Sequence, residues 1–143
     1  MSDFLSLTSL AGVFGLVGLA IAGFIYAYVK RQDVGTPLMA DLADQIHDGA
    51  MAFLRREYTV LAGFVLVVAI LLFLAIGQGT ALAYLTGALC SVMAGFFGMK
   101  AATRANVRTS AAANQEGAGK ALRVAFMGGA VMGLAVASLG LVG

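Results

Sequence analysis

The sequence predicts an all-α integral membrane protein with four transmembrane helices. Of its 143 residues, 61% are hydrophobic and only 11% are charged, whereas soluble domains carry about 25% charged residues. Four stretches lack Asp, Glu, Lys, Arg and His, and each has close to the roughly 20 residues that a helix needs to cross a bilayer. These stretches are Leu10–Val29, Tyr58–Ile76, Ala81–Met99 and Val124–Val142. The sequence therefore predicts a fold that lies within a lipid bilayer.

The first predicted helix covers residues 5–29 and is interpreted as a permanent span. A cleaved signal peptide carries basic residues before its apolar run. Here positions 1–10 contain no Lys or Arg, while Lys30 and Arg31 follow the run directly. This order of charges predicts an anchored helix with its N-terminus outside.

The second predicted helix, 38–76, combines an amphipathic part with an apolar part. Thr36 suits the N-cap position and Pro37 the first helical position. Between Leu38 and Glu57, apolar and charged residues alternate with a helical period. The sequence therefore predicts one long helix that begins outside the membrane and continues into it.

The third and fourth helices are predicted at 81–113 and 120–143. The segment 101–113 is rich in helix-forming residues, so the third helix also extends beyond the membrane. Small residues let helices approach closely in lipid. They recur at regular spacing, which predicts helix packing, at Gly12, Gly15 and Gly18 in the first helix, Gly87, Ser91 and Gly95 in the third, and Gly129, Gly133 and Ala137 in the fourth.

All nine basic residues lie in the two longer connections or at the helix ends beside them. Basic residues near helix ends stay on the cytoplasmic side. Both connections are therefore expected in the cytoplasm and both chain ends outside, and nucleic-acid binding is not needed to explain the net charge of +2. The basic residues are Lys30, Arg31, Arg55, Arg56, Lys100, Arg104, Arg108, Lys120 and Arg123.

Two groups of charged residues are candidates for ligand binding. Asp41, Asp44 and Asp48 share a helix face and could hold Mg²⁺ through oxygen ligands, but a solvated acidic face is the favoured interpretation. Arg104 and Arg108 lie one turn apart and could bind a phosphate or an anionic lipid head group. Ordinary anchoring at the membrane surface is the favoured alternative for the arginines.

Single residues give little support for catalysis. His47 is the single histidine of the chain, so a metal-binding or proton-relay role for it alone is not expected. Cys90 lies among apolar residues, which suppress thiolate formation. The four apolar stretches contain no ionisable acid or base of the kind that ion-driven transporters place inside the membrane. We therefore assign no catalytic, cofactor-binding or metal-binding residue from the sequence.

Several blocks of sequence carry a family resemblance that covers nearly the whole chain from Lys30 onward. In order and spacing they resemble the N-terminal part of the membrane-bound, ion-translocating inorganic pyrophosphatases. The most specific block runs from Gly98 to Thr109. The others are Asp33–Thr36, Ile46–Tyr58 and Lys120–Leu134.

The resemblance implies a function for a larger protein. Members of this family are helical homodimers that hydrolyse Mg²⁺-pyrophosphate on the cytoplasmic side and pump H⁺ or Na⁺ outward. Their Mg²⁺ ligands come from aspartate-rich motifs on later helices, in an inner ring. The first four helices belong to an outer ring that supports it. The expected partners are therefore later helices of the pump, a second copy and membrane lipid, in a bacterial or archaeal cytoplasmic membrane.

The chain departs from the family pattern because it is far shorter and has none of those motifs. The resemblance thus implies either a fragment or a truncated relic, and a scaffold that is inactive by itself. A different class of function is a small stand-alone four-helix membrane protein. It would act as an accessory or assembly subunit, or as a compact transporter relying on Arg104 and Arg108.

Overall fold

The computed structural model describes residues 2–142, with the side chains of residues 10–142. These residues form four α-helices, each long enough and apolar enough to cross a membrane, which confirms the predicted all-α architecture. The helices are α1 (Ser2–Lys30), α2 (Pro37–Ala75), α3 (Gln78–Gln115) and α4 (Ala118–Val142). Helix α3 begins three residues before its predicted start and ends two residues after its predicted end, and the predicted end at Gly143 lies outside the described residues.

Each connection contains a glycine at positive φ, where residues with a side chain are strained. The φ angles are +87° at Gly35, +136° at Gly77 and +89° at Gly117. At the start of α2, Thr36 is the N-cap as predicted, because its Oγ1 accepts a hydrogen bond from the Met39 N–H at 3.3 Å. These local features fix where one helix ends and the next begins.

Helix α3 lies at the centre of the arrangement. It packs against α4 on one side and α2 on the other, while α1 packs mainly against α4 and less extensively against α3. In the described residues, no Cα atom of α2 lies within 8 Å of one in α1 or α4. The most extensive packing is at the seam between α3 and α4, where Val124 is fully buried and forms an apolar cluster with Ala112 and Ala121.

Close approach between helices occurs at glycines. A Cβ on Gly128 would lie 2.5 Å from Ala105 Cβ across the α3–α4 seam, and one on Gly98 would lie 2.7 Å from Met132 Cγ. On α1, a Cβ on Gly15 would lie 2.7 Å from the Ser138 carbonyl oxygen. The prediction of close packing by small residues of α1 is thus confirmed at Gly15 and at Gly18, where an added Cβ would clash with the Ser138 side chain, but not at Gly12, which has no neighbour within 4 Å.

The small-residue face predicted for α4 is wrong for contacts within this chain. Gly129 and Gly133 have no neighbour within 4 Å of an added Cβ, and Ala137 is exposed. On α3, Gly87 is equally open, while Gly95 is approached by the Tyr58 hydroxyl of α2. The prediction is thus confirmed at Gly95, but it fails on α4 because the spacing defines a face of a helix and not which face meets a neighbour.

Large apolar side chains cover the outside of the bundle. Phe24 is 78% exposed, Phe64 is 63% exposed and Leu74 is 75% exposed. In water such a surface would be an aggregation hazard. In a bilayer it matches the hydrocarbon that surrounds the helices.

Candidate functional site

Polar contacts between helices concentrate where α1 ends, α2 begins and α3 extends beyond its apolar stretch. We call this group the polar cluster. Its members come from the connection after α1, from α2 and from α3, and they are Gln32, Asp44, His47, Thr103, Arg104 and Arg108.

Arg108 ties the end of α1 to α3. Its Nε donates to the Gln32 carbonyl at 3.2 Å and its terminal nitrogens donate to the carbonyls of Lys30 at 3.1 Å and Arg104 at 2.7 Å. The residue is 8% exposed, and burial, with Arg104 next to it, lowers the pKa of Arg108. The guanidinium still carries its charge at neutral pH. It therefore complements the negative C-terminal end of the α1 dipole.

Asp44 and Arg104 form the ion pair between α2 and α3. Arg104 donates to the Asp44 carboxylate at 2.6 Å, and both side chains remain partly exposed. With Arg104 paired and all three nitrogens of Arg108 donating to carbonyls, the structure uses this arginine pair to join helices. Binding of a phosphate or a lipid head group by these two arginines stays a prediction.

The acidic stripe does not converge on one point. Asp41 accepts a hydrogen bond from Gln45 at 2.9 Å, Asp44 is paired with Arg104, and Asp48 is exposed. Among the described residues, no group of three or more His, Cys, Asp or Glu side chains is arranged to hold a metal ion. The three aspartates are thus not brought together as one group of ligands.

His47 contributes a second link between α2 and α3. Its Nδ1 lies 2.8 Å from Thr103 Oγ1. The Thr103 hydroxyl also lies 3.0 Å from the Met99 carbonyl, to which it donates. The tautomer of the His47 imidazole sets which of the two side chains donates in this hydrogen bond. Sequence analysis did not single out Thr103, since no short spacing connects positions 47 and 103.

The connection between α1 and α2 is held by a turn at Asp33. The Gly35 N–H donates to the Asp33 carboxylate at 3.0 Å, and this bond, together with one from the Gln115 side chain, lowers the pKa of Asp33. A Cβ on Gly35 would lie 3.1 Å from Ala111 Cβ. The turn thus lies directly against α3.

These contacts define a class of protein: a multi-pass integral membrane protein whose polar residues join helices at one end of the bundle. The described residues of the polar cluster are engaged with one another or with backbone carbonyls.

The particular family follows from comparison with known proteins. The chain matches the inorganic H⁺ pyrophosphatase family over residues 16–143. It belongs to this family, which confirms the resemblance seen in the sequence.

The relatives are pyrophosphate-energized pumps from bacteria and archaea. The chain is 45% identical over 130 residues to K⁺-insensitive pyrophosphate-energized proton pump 2 of Moorella thermoacetica. It is 40% identical over 131 residues to the K⁺-insensitive proton pump of Methanosarcina mazei and 42% identical over 137 residues to the K⁺-stimulated sodium pump of Thermotoga maritima. Each match covers 90–93% of this chain and 19% of the relative.

Proposed function

We propose that this chain acts as the N-terminal helical scaffold of a pyrophosphate-energized ion pump. The observation that carries the proposal is the family match over residues 16–143 together with the 19% coverage of the pumps that it resembles. In such a pump the hydrolysis of Mg²⁺-pyrophosphate and the ligands of the metal belong to other helices. The polar cluster then holds α1, α2 and α3 in a fixed relation at the cytoplasmic side.

The choice of the transported ion is proposed to lie outside these helices. Identity to the Moorella proton pump is 45% and identity to the Thermotoga sodium pump is 42%. Nearly equal likeness to pumps of both kinds is what a shared scaffold would show. Binding of a second copy of the pump is likewise proposed from the resemblance alone.

The scaffold role predicts inactivity of the isolated chain and activity of a chimera. Purified 1–143 in detergent with Mg²⁺ and pyrophosphate should release no phosphate above background. A Thermotoga pump whose corresponding segment is replaced by this chain should retain pyrophosphate-dependent Na⁺ uptake in vesicles. Turnover by the isolated chain would contradict the scaffold role. A chimera that assembles in the membrane but neither hydrolyses pyrophosphate nor pumps would contradict the assignment to this type of pump.

A further inference from the structure

A groove runs along the bundle between α1, α3 and α4, on the half of the membrane next to the polar cluster. Its volume is about 420 Å³. Its walls are apolar along most of their length, and Tyr26 and Lys100 lie at the end nearer the polar cluster. The remaining residues that matter for the argument are Leu19, Gly23, Phe97 and Ala135.

Small residues create the space in this groove. A Cβ on Gly23 would meet nothing within 4 Å, and Ala135 contributes a single methyl group opposite. From Tyr26 to Leu19 the groove follows α1 for seven residues, which is about 10 Å at 1.5 Å per residue. This depth covers much of one leaflet's hydrocarbon, since the whole hydrocarbon layer is about 30 Å thick.

The polar end of the groove carries an available positive charge. The Lys100 ammonium lies 5.7 Å from the centre of the Phe96 ring, and no carboxylate of the described residues lies within 4.0 Å of it. Tyr26 adds a hydroxyl at a depth where tyrosines favour the membrane interface. A cation and a hydroxyl above an apolar slot match a phosphate above an acyl chain.

The size of the groove suits a small ligand such as a lipid chain. Its volume of about 420 Å³ falls within the range of about 300–1,000 Å³ that is typical of small-ligand sites.

We propose that this groove is a binding site for an anionic phospholipid. Its phosphate lies at Lys100 and Tyr26, and one acyl chain fills the slot between Gly23, Phe97 and Ala135. Neither Arg104 nor Arg108 lines the groove, and both are engaged within the protein. The proposal therefore locates the lipid head group elsewhere than the arginine pair considered from the sequence.

The absence of tryptophan from the chain permits a direct test. Phe97→Trp places the single tryptophan of the chain in the groove, and Phe64→Trp places it on the exposed side of α2 as a control. The full chain is reconstituted in phosphatidylcholine vesicles containing increasing brominated phosphatidylglycerol or brominated phosphatidylcholine, which quench tryptophan on contact. For Phe97→Trp we expect half-maximal quenching at an about fivefold lower fraction of the anionic lipid. For Phe64→Trp the two lipids should quench equally.

Charge variants separate this site from general attraction to the surface. In the Phe97→Trp background, Lys100→Gln should abolish the preference, whereas Lys100→Arg and the equal charge loss Arg55→Gln should retain it. Far-UV circular dichroism checks that each variant is helical, and Lys100→Arg keeps the test decisive if Lys100→Gln does not fold.

Three outcomes would overturn the proposal. Equal quenching of Phe97→Trp by both lipids would mean that the groove holds bulk lipid only. Protection from both lipids would mean that a protein segment or a second copy covers it. Loss of the preference with inorganic phosphate, but not with sodium chloride of equal ionic strength, would identify a site for soluble phosphate.

Discussion

The role of Arg108 depends on the tertiary structure, which brings it to the end of α1. The last carbonyls of a helix have no partner within the helix, and at the end of α1 the carbonyl of Lys30 and the following carbonyl of Gln32 accept hydrogen bonds from Arg108 of α3. The positive charge sits where the α1 dipole is negative. One side chain thereby supplies a C-cap from 76 or more positions away in the sequence.

Replacing Arg108 should therefore weaken the attachment of α1 to α3. We expect Arg108→Gln to lower the free energy of unfolding by about 1.5–3 kcal/mol, because the carbonyls of Lys30 and Gln32 lose their hydrogen bonds to a charged donor. Denaturant titration in lipid micelles measures this loss, and hydrogen exchange should quicken at the amides that end α1. Arg55→Gln removes the same charge from an exposed site and should change stability by less than about 0.5 kcal/mol. Equal effects of the two variants would contradict the cap.

At the scale of elements, α4 shows how one glycine packs and its neighbour does not. Gly128 faces Ala105 of α3 so closely that no side chain fits without movement, whereas Gly129 faces open space within the chain. Successive residues of a helix point about 100° apart, because one turn takes 3.6 residues. Substitutions at these two neighbouring glycines can therefore be compared to test the packing between α3 and α4.

Enlarging the two glycines should have different consequences. Gly128→Leu should lower the free energy of unfolding of the chain by about 1–3 kcal/mol through overpacking. Gly129→Leu should be neutral to within about 0.5 kcal/mol in the same detergent. Denaturant titration of both variants provides the measurement. A larger loss for Gly129→Leu would show that α4 presents the other face to α3.

At the scale of the whole molecule, the distribution of charge predicts the orientation in the membrane. Helix α3 offers two glutamines for testing it, Gln78 at its first residue and Gln115 at its last. With the basic connections in the cytoplasm, the first lies outside and the second inside. The proposed scaffold role requires this orientation, because the pump would take pyrophosphate from the cytoplasm.

Cysteine labelling should distinguish the two ends of α3. In a Cys90→Ala background, a membrane-impermeant maleimide should label Gln78→Cys in sealed cells. It should label Gln115→Cys only after the cells are permeabilised. The opposite pattern would reverse the orientation and remove the basis for placing the polar cluster on the cytoplasmic side.

The sequence by itself determined the four helices, their location in lipid rather than in water, and the family to which the chain belongs. Apolar runs of transmembrane length, the Thr36 N-cap and the block from Gly98 to Thr109 are local signals. Each depends on residues that are close together in the sequence and can therefore be recognised without the structure. Tertiary structure alone decided which faces meet and which charges are used. Gly128 rather than Gly129 meets α3, Arg108 caps α1, and the slot beside Lys100 lies open. The sequence could not predict which faces meet, because a helix in lipid is apolar on every side and hydrophobicity does not distinguish the face that packs from the face that meets lipid.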